Sequence, residues 1–271
     1  MIIYILLFLA GLGGGFLAGL LGIGGGIVYI LILPEALTYL HVPQQELAQY
    51  VIANSIFGTA AAALSGNIAL IRRKEFQWQN VGVVGIGGII SSYLWLTFFV
   101  NTPMYSKKLF YTVVILLLLY IIYRSWINSR GANTARYQEN ADKFWLSMAG
   151  MAGGTVSALT GLGGGVVVIP ILTTKLQMNI KQAKAISLGM ILITSLSMTV
   201  YNLLESPLFP YEVFRSGYIV YGIVLPLSLG VVISSPFGVY VSGKLSARTI
   251  TFIFLAFVGI VIIKKIFELL S

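Results

Sequence analysis

Apolar runs of about twenty residues, separated by short polar breaks, cover almost the whole chain. Residues 2–33 are apolar throughout, too long for one crossing, since about 17–25 residues span a hydrocarbon core near 30 Å thick. This run holds nine glycines between Gly11 and Gly26, three of them consecutive at Gly24, Gly25 and Gly26. An interior glycine weakens a helix by about 1 kcal/mol relative to alanine, so the run reads as two helical pieces around a central loop. Loop sequence carrying Pro34 and Pro43 follows. Further spans are predicted over 47–70, 81–100 and 109–127, the first stopped by Arg72, Arg73 and Lys74. Residues 128–142, NSRGANTARYQENAD, read as a linker. Beyond it the order recurs: a glycine-broken segment over 144–172, then spans over 183–203, 218–241 and 249–270. Long alternating strands are absent, which favours helices over a barrel.

The pattern is also stated twice at residue level. GLLGIGGGIVYILIL, Gly19–Leu33, aligns without gaps on ALTGLGGGVVVIPIL, Ala158–Leu172, a displacement of 139 residues. Later, IISSY at Ile89–Tyr93 is echoed by VISSP at Val232–Pro236. The reading is an all-α integral membrane protein built as a first membrane repeat (1–127), a cytoplasmic linker (128–142) and a second membrane repeat (143–271). Each repeat is a glycine-broken hairpin segment followed by three transmembrane helices.

Composition agrees, with 58% hydrophobic and 9% charged residues, far from the quarter charged of a soluble domain. The charge distribution adds orientation. If each broken segment crosses fully, the Lys and Arg residues divide ten to seven between the two sides and orient nothing. If each dips in and returns to its own side, twelve of the seventeen, among them Arg72, Arg73, Lys181, Lys184 and Lys244, collect on one side. The second arrangement satisfies the positive-inside rule. A hairpin plus three crossings is an odd number of passages, so the repeats are inverted, with both termini outside. The net charge of +9 then reflects membrane orientation rather than nucleic-acid binding. The N-terminus lacks a basic n-region and reads as mature sequence.

With no cysteine and one histidine, His41, in a loop, the chain offers no thiolate, disulfide or Cys-ligated metal chemistry. No Asp, Glu, Lys or Arg falls deep in a predicted span, which argues against an intramembrane enzyme and against a cation or proton antiporter built on a buried carboxylate. No cofactor and no metal are implied. Helices beginning just after Gly26 and Gly165 leave first-turn N–H groups facing the breaks, where the helix dipole favours an anion and glycine permits close approach. Candidate substrate contacts are therefore Gly24, Gly25, Gly26, Gly163, Gly164 and Gly165, with Asn54, Ser55, Ser187 and Thr160 as polar neighbours. The competing structural reading makes the glycines a close-packing surface and gives the polar side chains bonds within or between helices.

These residues resemble the sulfite exporter TauE/SafE family of membrane permeases. The likeness rests on GLLGIGGGIVYILIL and GLGGGVVVIPIL near the start of each half, and on the A-x-S triplets Ala53–Ser55 and Ala185–Ser187. It implies export of a small sulfur-containing anion, such as sulfite or sulfoacetate, by alternating access across a bacterial inner membrane. The substrate would lie near the six glycines. A channel-like passive anion facilitator on the same fold is the alternative. The coupling ion, H+ or Na+, and the oligomeric state are left open. The first half departs from the second in a loop seven residues longer between Leu33 and Ser55, and in Leu31 where the second has Pro170.

Overall fold

The computed structural model describes residues 2–128, 141–209, 212–245 and 247–270. Ten α-helices account for most of them. In the first half these are α1 (Ile2–Leu21), α2 (Gly26–Tyr39), α3 (Leu47–Arg72), α4 (Trp78–Trp95) and α5 (Lys107–Asn128). A 3-10 turn at Gln44–Glu46 leads into α3, and a π-helical turn at Leu96–Val100 extends α4. The second half contains α6 (Lys143–Thr160), α7 (Gly165–Thr174), α8 (Ile180–Leu204), α9 (Tyr221–Ser242) and α10 (Ala247–Leu270). Among the described residues, five helical stretches are long and apolar enough to cross a membrane: α1, α3 with its preceding turn, α4 with its π turn, α8 and α9. The protein is an all-α membrane protein. Most of the predicted linker, residues 129–140, lies outside the described residues.

Both breaks fall where the glycine triplets place them, with the second helix of each pair starting at Gly26 and Gly165. Two expectations are corrected. Pro34 lies inside α2 rather than in a loop, and carries Glu35 with it. The extra residues of the first half lengthen α2 to 14 residues against 10 in α7, so the helix continues through the proline. Proline is tolerated in membrane helices because neighbouring groups re-satisfy the freed carbonyl. The other correction concerns the span predicted from Tyr218. It begins at Tyr221, because Arg215–Ser216 and Ile219–Val220 pair as a short antiparallel hairpin.

Small residues set the main helix contacts. Gly11, Gly15 and Gly19 on α1 lie along Leu227, Val231 and Gly238 of α9, so close that a Cβ on Gly15 would sit 2.7 Å from the Val231 carbonyl oxygen. Correspondingly, Gly150 and Gly154 on α6 lie against Val84 and Gly88 of α4. Spacing of four residues puts each set on one helix face and lets the backbones approach, as in small-xxx-small packing. The close-packing reading therefore holds for these glycines. In both pairs, contacts ascend together, so α1 runs parallel to α9 and α6 parallel to α4. α3 and α8 pack together, joined by Asn67 Nδ2 donating to Leu188 O at 2.9 Å.

The ends of the bundle are tied by polar contacts. At one end, Lys181 at the start of α8 pairs with Glu75, just past α3, at 2.8 Å. At the other, the Asn54 amide ties α3 to the hairpin: Nδ2 donates to Tyr218 O at 2.9 Å as well as to Tyr50 O one turn back at 2.7 Å, and Oδ1 accepts from Val220 N–H at 2.9 Å. Buried Glu46 accepts from Tyr218 OH at 2.6 Å and from Leu208 N–H at 2.8 Å. Lys265, also buried, pairs with Glu268 at 2.6 Å.

Candidate functional site

The two glycine loops meet. A Cβ on Gly24 would lie 3.6 Å from Gly163 Cα, and one on Gly163 would lie 3.5 Å from Gly24 Cα. Gly26 faces Gly161 and Leu162, and Gly165 faces Gly22 and Ile23. Positions related by the 139-residue displacement thus face each other reciprocally. The crossing is possible because Gly24 and Gly163 have φ of +83° and +91°, a region that L side chains avoid. Residues 22–26 and 161–165 are buried throughout.

Two serines hold the loops in register. Ser55 Oγ on α3 donates to Gly161 O at 2.8 Å, and Ser187 Oγ on α8 donates to Gly22 O at 2.9 Å. Each serine therefore grips the loop of the other half. Removing either hydroxyl leaves a buried carbonyl unpaired, at a cost of about 1–3 kcal/mol. Ser55→Ala and Ser187→Ala are each expected to lower the thermal unfolding midpoint in detergent, and equal midpoints for wild type and both variants would contradict this role.

The carbonyls of Gly22, Gly25, Gly161, Gly163 and Gly164 are thus occupied, and some N–H groups as well. Val28 and Tyr29 N–H donate to Gly25 O, Val167 and Val168 N–H donate to Gly164 O, and Gly165 N–H turns back to Gly163 O at 2.7 Å. Side-chain caps close the starts of α6 and α8, where Asp142 accepts from Phe144 N–H and Asn179 from Gln182 N–H, both at 2.8 Å, whereas α3, α4 and α9 begin without one. Neither α2 nor α7 receives a side-chain cap. Their first turns end at Gly25 and Gly164, with the positive ends of both helix dipoles at the loop junction.

Thr59 sits at that junction, midway along the 26-residue α3. A Cβ on Gly163 would lie 2.9 Å from its methyl carbon and one on Gly24 3.0 Å from the same atom. Thr59 Oγ1 is buried without a hydrogen-bond partner, as are Ser157 Oγ on α6 and Tyr29 OH, which is packed beside Gly25. Buried hydroxyls normally find partners, so three unpaired ones around one junction mark it as polar and under-satisfied.

The structure brings Gly24, Gly25, Gly26, Gly163, Gly164, Gly165, Ser55 and Ser187 into one cluster. Thr160 closes α6 beside it, its Oγ1 donating to Val156 O at 2.6 Å and accepting from Leu162 N–H at 3.3 Å. Asn54 is turned away to the Tyr218–Val220 hairpin. Thr59 and Tyr29 were not among the sequence candidates. Thr59 stands one helical turn beyond Ser55, a spacing that puts it on the same face. Among the described residues, no three His, Cys, Asp or Glu side chains cluster as a metal site.

Comparison with known proteins fits this architecture. A family profile described as sulfite exporter TauE/SafE matches residues 7–265. A probable membrane transporter protein of Methanocaldococcus jannaschii is 26% identical over 258 residues, covering 94% of this chain and 92% of its own. Another of Haemophilus influenzae is 26% identical over 254 residues, covering 91% of each chain. The Bacillus subtilis probable membrane transporter protein YunE is 24% identical over 264 residues, covering 92% of each. No solved structure matches.

Proposed function

The chain belongs to the sulfite exporter TauE/SafE family, and from that premise we propose that it is a secondary transporter exporting a small sulfur-containing anion, such as sulfite or sulfoacetate, by alternating access. It is a multi-pass membrane transporter; the substrate, direction and mechanism are our reading. The loop junction carries that reading. Two uncapped helix N-termini and the unpaired Thr59 hydroxyl converge halfway along a 26-residue helix, an arrangement suited to an anion held by backbone dipoles without a buried cation.

The packing supports two inverted repeats, residues 1–127 and 143–271, joined through 128–142. Parallel pairing of α1 with α9 starts α1 beside the Tyr221 end of α9, whereas pairing of α6 with α4 starts α6 near the turn after Arg72. The broken segments therefore approach from opposite ends. The positive-inside rule then assigns the Arg72 end to the cytoplasm and both termini to the outside of a bacterial inner membrane.

In this reading the buried loops correspond to an occluded arrangement, and transport requires one bundle to rock against the other, with H+ or Na+ as the coupling ions to test. In proteoliposomes, sulfite preloaded inside should accelerate uptake of labelled sulfite, because a carrier exchanges faster than it returns empty. Uptake that is insensitive to preloading would replace this mechanism by a passive facilitator.

A further inference from the structure

One cavity opens away from the loop junction. It has a volume of about 240 Å³ and lies between the C-terminal ends of α1 and α9 and the N-terminal end of α8. Gly22, at one end of the first glycine loop, forms part of its wall, and Arg73, Lys181, Lys184, Glu75 and Ser242 supply its polar lining. Glu75 is the sole carboxylate among these lining residues and is paired with Lys181 at 2.8 Å. That leaves Arg73 and Lys184 as the positive charges facing the space.

Lys184 is the inner of the two. Its Nζ donates to Leu20 O and to Ser242 Oγ, both at 3.3 Å. These are long bonds to neutral acceptors, and an ammonium group has three donors. A half-buried cation held only by neutral groups is stabilised further when an anion joins it. Arg73, at the exposed rim, rests over the Tyr240 ring at 5.9 Å and keeps its donors available in the plane.

The same place in the other half is apolar. A Cβ on Gly22 would sit 3.1 Å from Lys184 Cβ, whereas a Cβ on the matching Gly161 would sit 3.2 Å from Ile52 Cα. Lys184 and Ile52 each stand three residues before the serine that holds the opposing loop, Ser187 and Ser55. The duplicated fold has therefore placed a cation on one approach to the glycine loops and an aliphatic side chain on the other.

We propose that this cavity is a recruitment site for a small oxyanion, with Lys184 as its inner contact and Arg73 at its mouth, loading the transporter from the Arg72 end. The proposal rests on the anion-transport reading and adds a second site beside the loop junction. An anion bound at Lys184 takes the third donor and draws the ammonium away from its long bonds to Leu20 O and Ser242 Oγ, so occupancy loosens the C-terminal end of α1 where the first glycine loop begins.

The test is sulfite binding by calorimetry to the full-length protein in phosphatidylcholine vesicles, with and without added phosphatidylglycerol. Lys184→Ile, which copies the other half, should raise the dissociation constant about tenfold, the loss of one charge-assisted hydrogen bond. It should also flatten the dependence on ionic strength, while Lys184→Arg stays close to wild type. If Lys184→Ile does not fold, Arg73→Gln at the exposed rim carries the test, with a smaller rise and the same flattening. Unchanged affinity and salt dependence in the variants would remove the recruitment site and leave the transport reading standing. A variant effect seen only with phosphatidylglycerol would assign the cavity to a lipid headgroup and overturn the proposal. A wild-type protein that binds neither sulfite nor sulfoacetate would instead overturn the transport reading.

Discussion

Gly164→Val is expected to abolish transport and sulfite binding at the loop junction, because the substituted residue fits neither the backbone nor the space. Gly164 has φ of +67°, and a Cβ there would lie 2.7 Å from the Gly153 carbonyl carbon and 3.0 Å from Gly153 Cα. The clash is with the backbone of α6, which cannot rotate aside. Left-handed strain for a β-branched residue adds about 1–3 kcal/mol, so the loop must leave its position against the first-half loop. Gly25→Val escapes the left-handed strain, since Gly25 has φ of −83°, although a Cβ there would press on the far end of the buried Tyr29 side chain and lie 2.8 Å from the Gly14 carbonyl oxygen. It should still lose binding, because a side chain at this N-cap shields the first turn of α2. Gly82→Ala is the control: nothing lies within 4 Å of a Cβ there, and removing an interior helix glycine should stabilise α4 by about 0.5–1 kcal/mol. Sulfite calorimetry and thermal midpoints on the three variants separate these effects. Wild-type affinity with an unchanged number of bound sulfite ions in Gly164→Val would take the loops out of the site.

The breaks were legible because one triplet recurs at matching places in the two halves, Gly24–Gly26 and Gly163–Gly165; local propensity alone does not decide them, since an equal triplet, Gly13, Gly14 and Gly15, stays helical inside α1. Their reciprocal meeting was legible only as far as the duplication and the charge count carried it. Pro34 was misread because a proline usually ends a helix, and nothing local shows that α2 runs on to Tyr39. Thr59 was hidden for another reason. A threonine among small residues in a span is ordinary, and its unpaired hydroxyl exists only because loops from both halves converge on it. The roles of Ser55 and Asn54 are likewise decided by partners 106 and 164 residues away. Adjacent in sequence, they serve different ends: one holds a glycine loop, the other the hairpin before α9. Lys184 looked like a charge at a span end, and its place against Gly22 comes from the packing of α8 on α1 and α9.

Glu46→Ala should give the largest stability loss among side-chain truncations at the Tyr218 end of the bundle. His41–Glu46 reads as a polar loop, yet Glu46 is 2% exposed. Its carboxylate accepts from Tyr218 OH at 2.6 Å, Leu208 N–H at 2.8 Å and Phe209 N–H at 3.1 Å. Three donors from one distant segment converge on one anion, and alanine leaves all three without it. At about 1–3 kcal/mol for each buried donor, the expected loss is about 3 kcal/mol or more. Glu46→Gln keeps an oxygen for two donors but turns an amide N–H toward a third, so its loss should be smaller. Tyr218→Phe removes a single donor and should cost least. Burial, reinforced by the hydrogen bond to Glu46, pushes the Tyr218 phenol above its usual range. A group whose folded pKa is raised stabilises fully below its unfolded value, about 10 for tyrosine, and loses that contribution as pH rises beyond it. The wild-type midpoint should therefore fall above about pH 10, and Tyr218→Phe should weaken that fall. Because Asn54 binds the same segment one residue from Ser55, loosening it in Glu46→Ala should also speed hydrogen exchange at Val220 N–H. Equal midpoints for wild type and Glu46→Ala would show that this carboxylate does not hold the segment against α3.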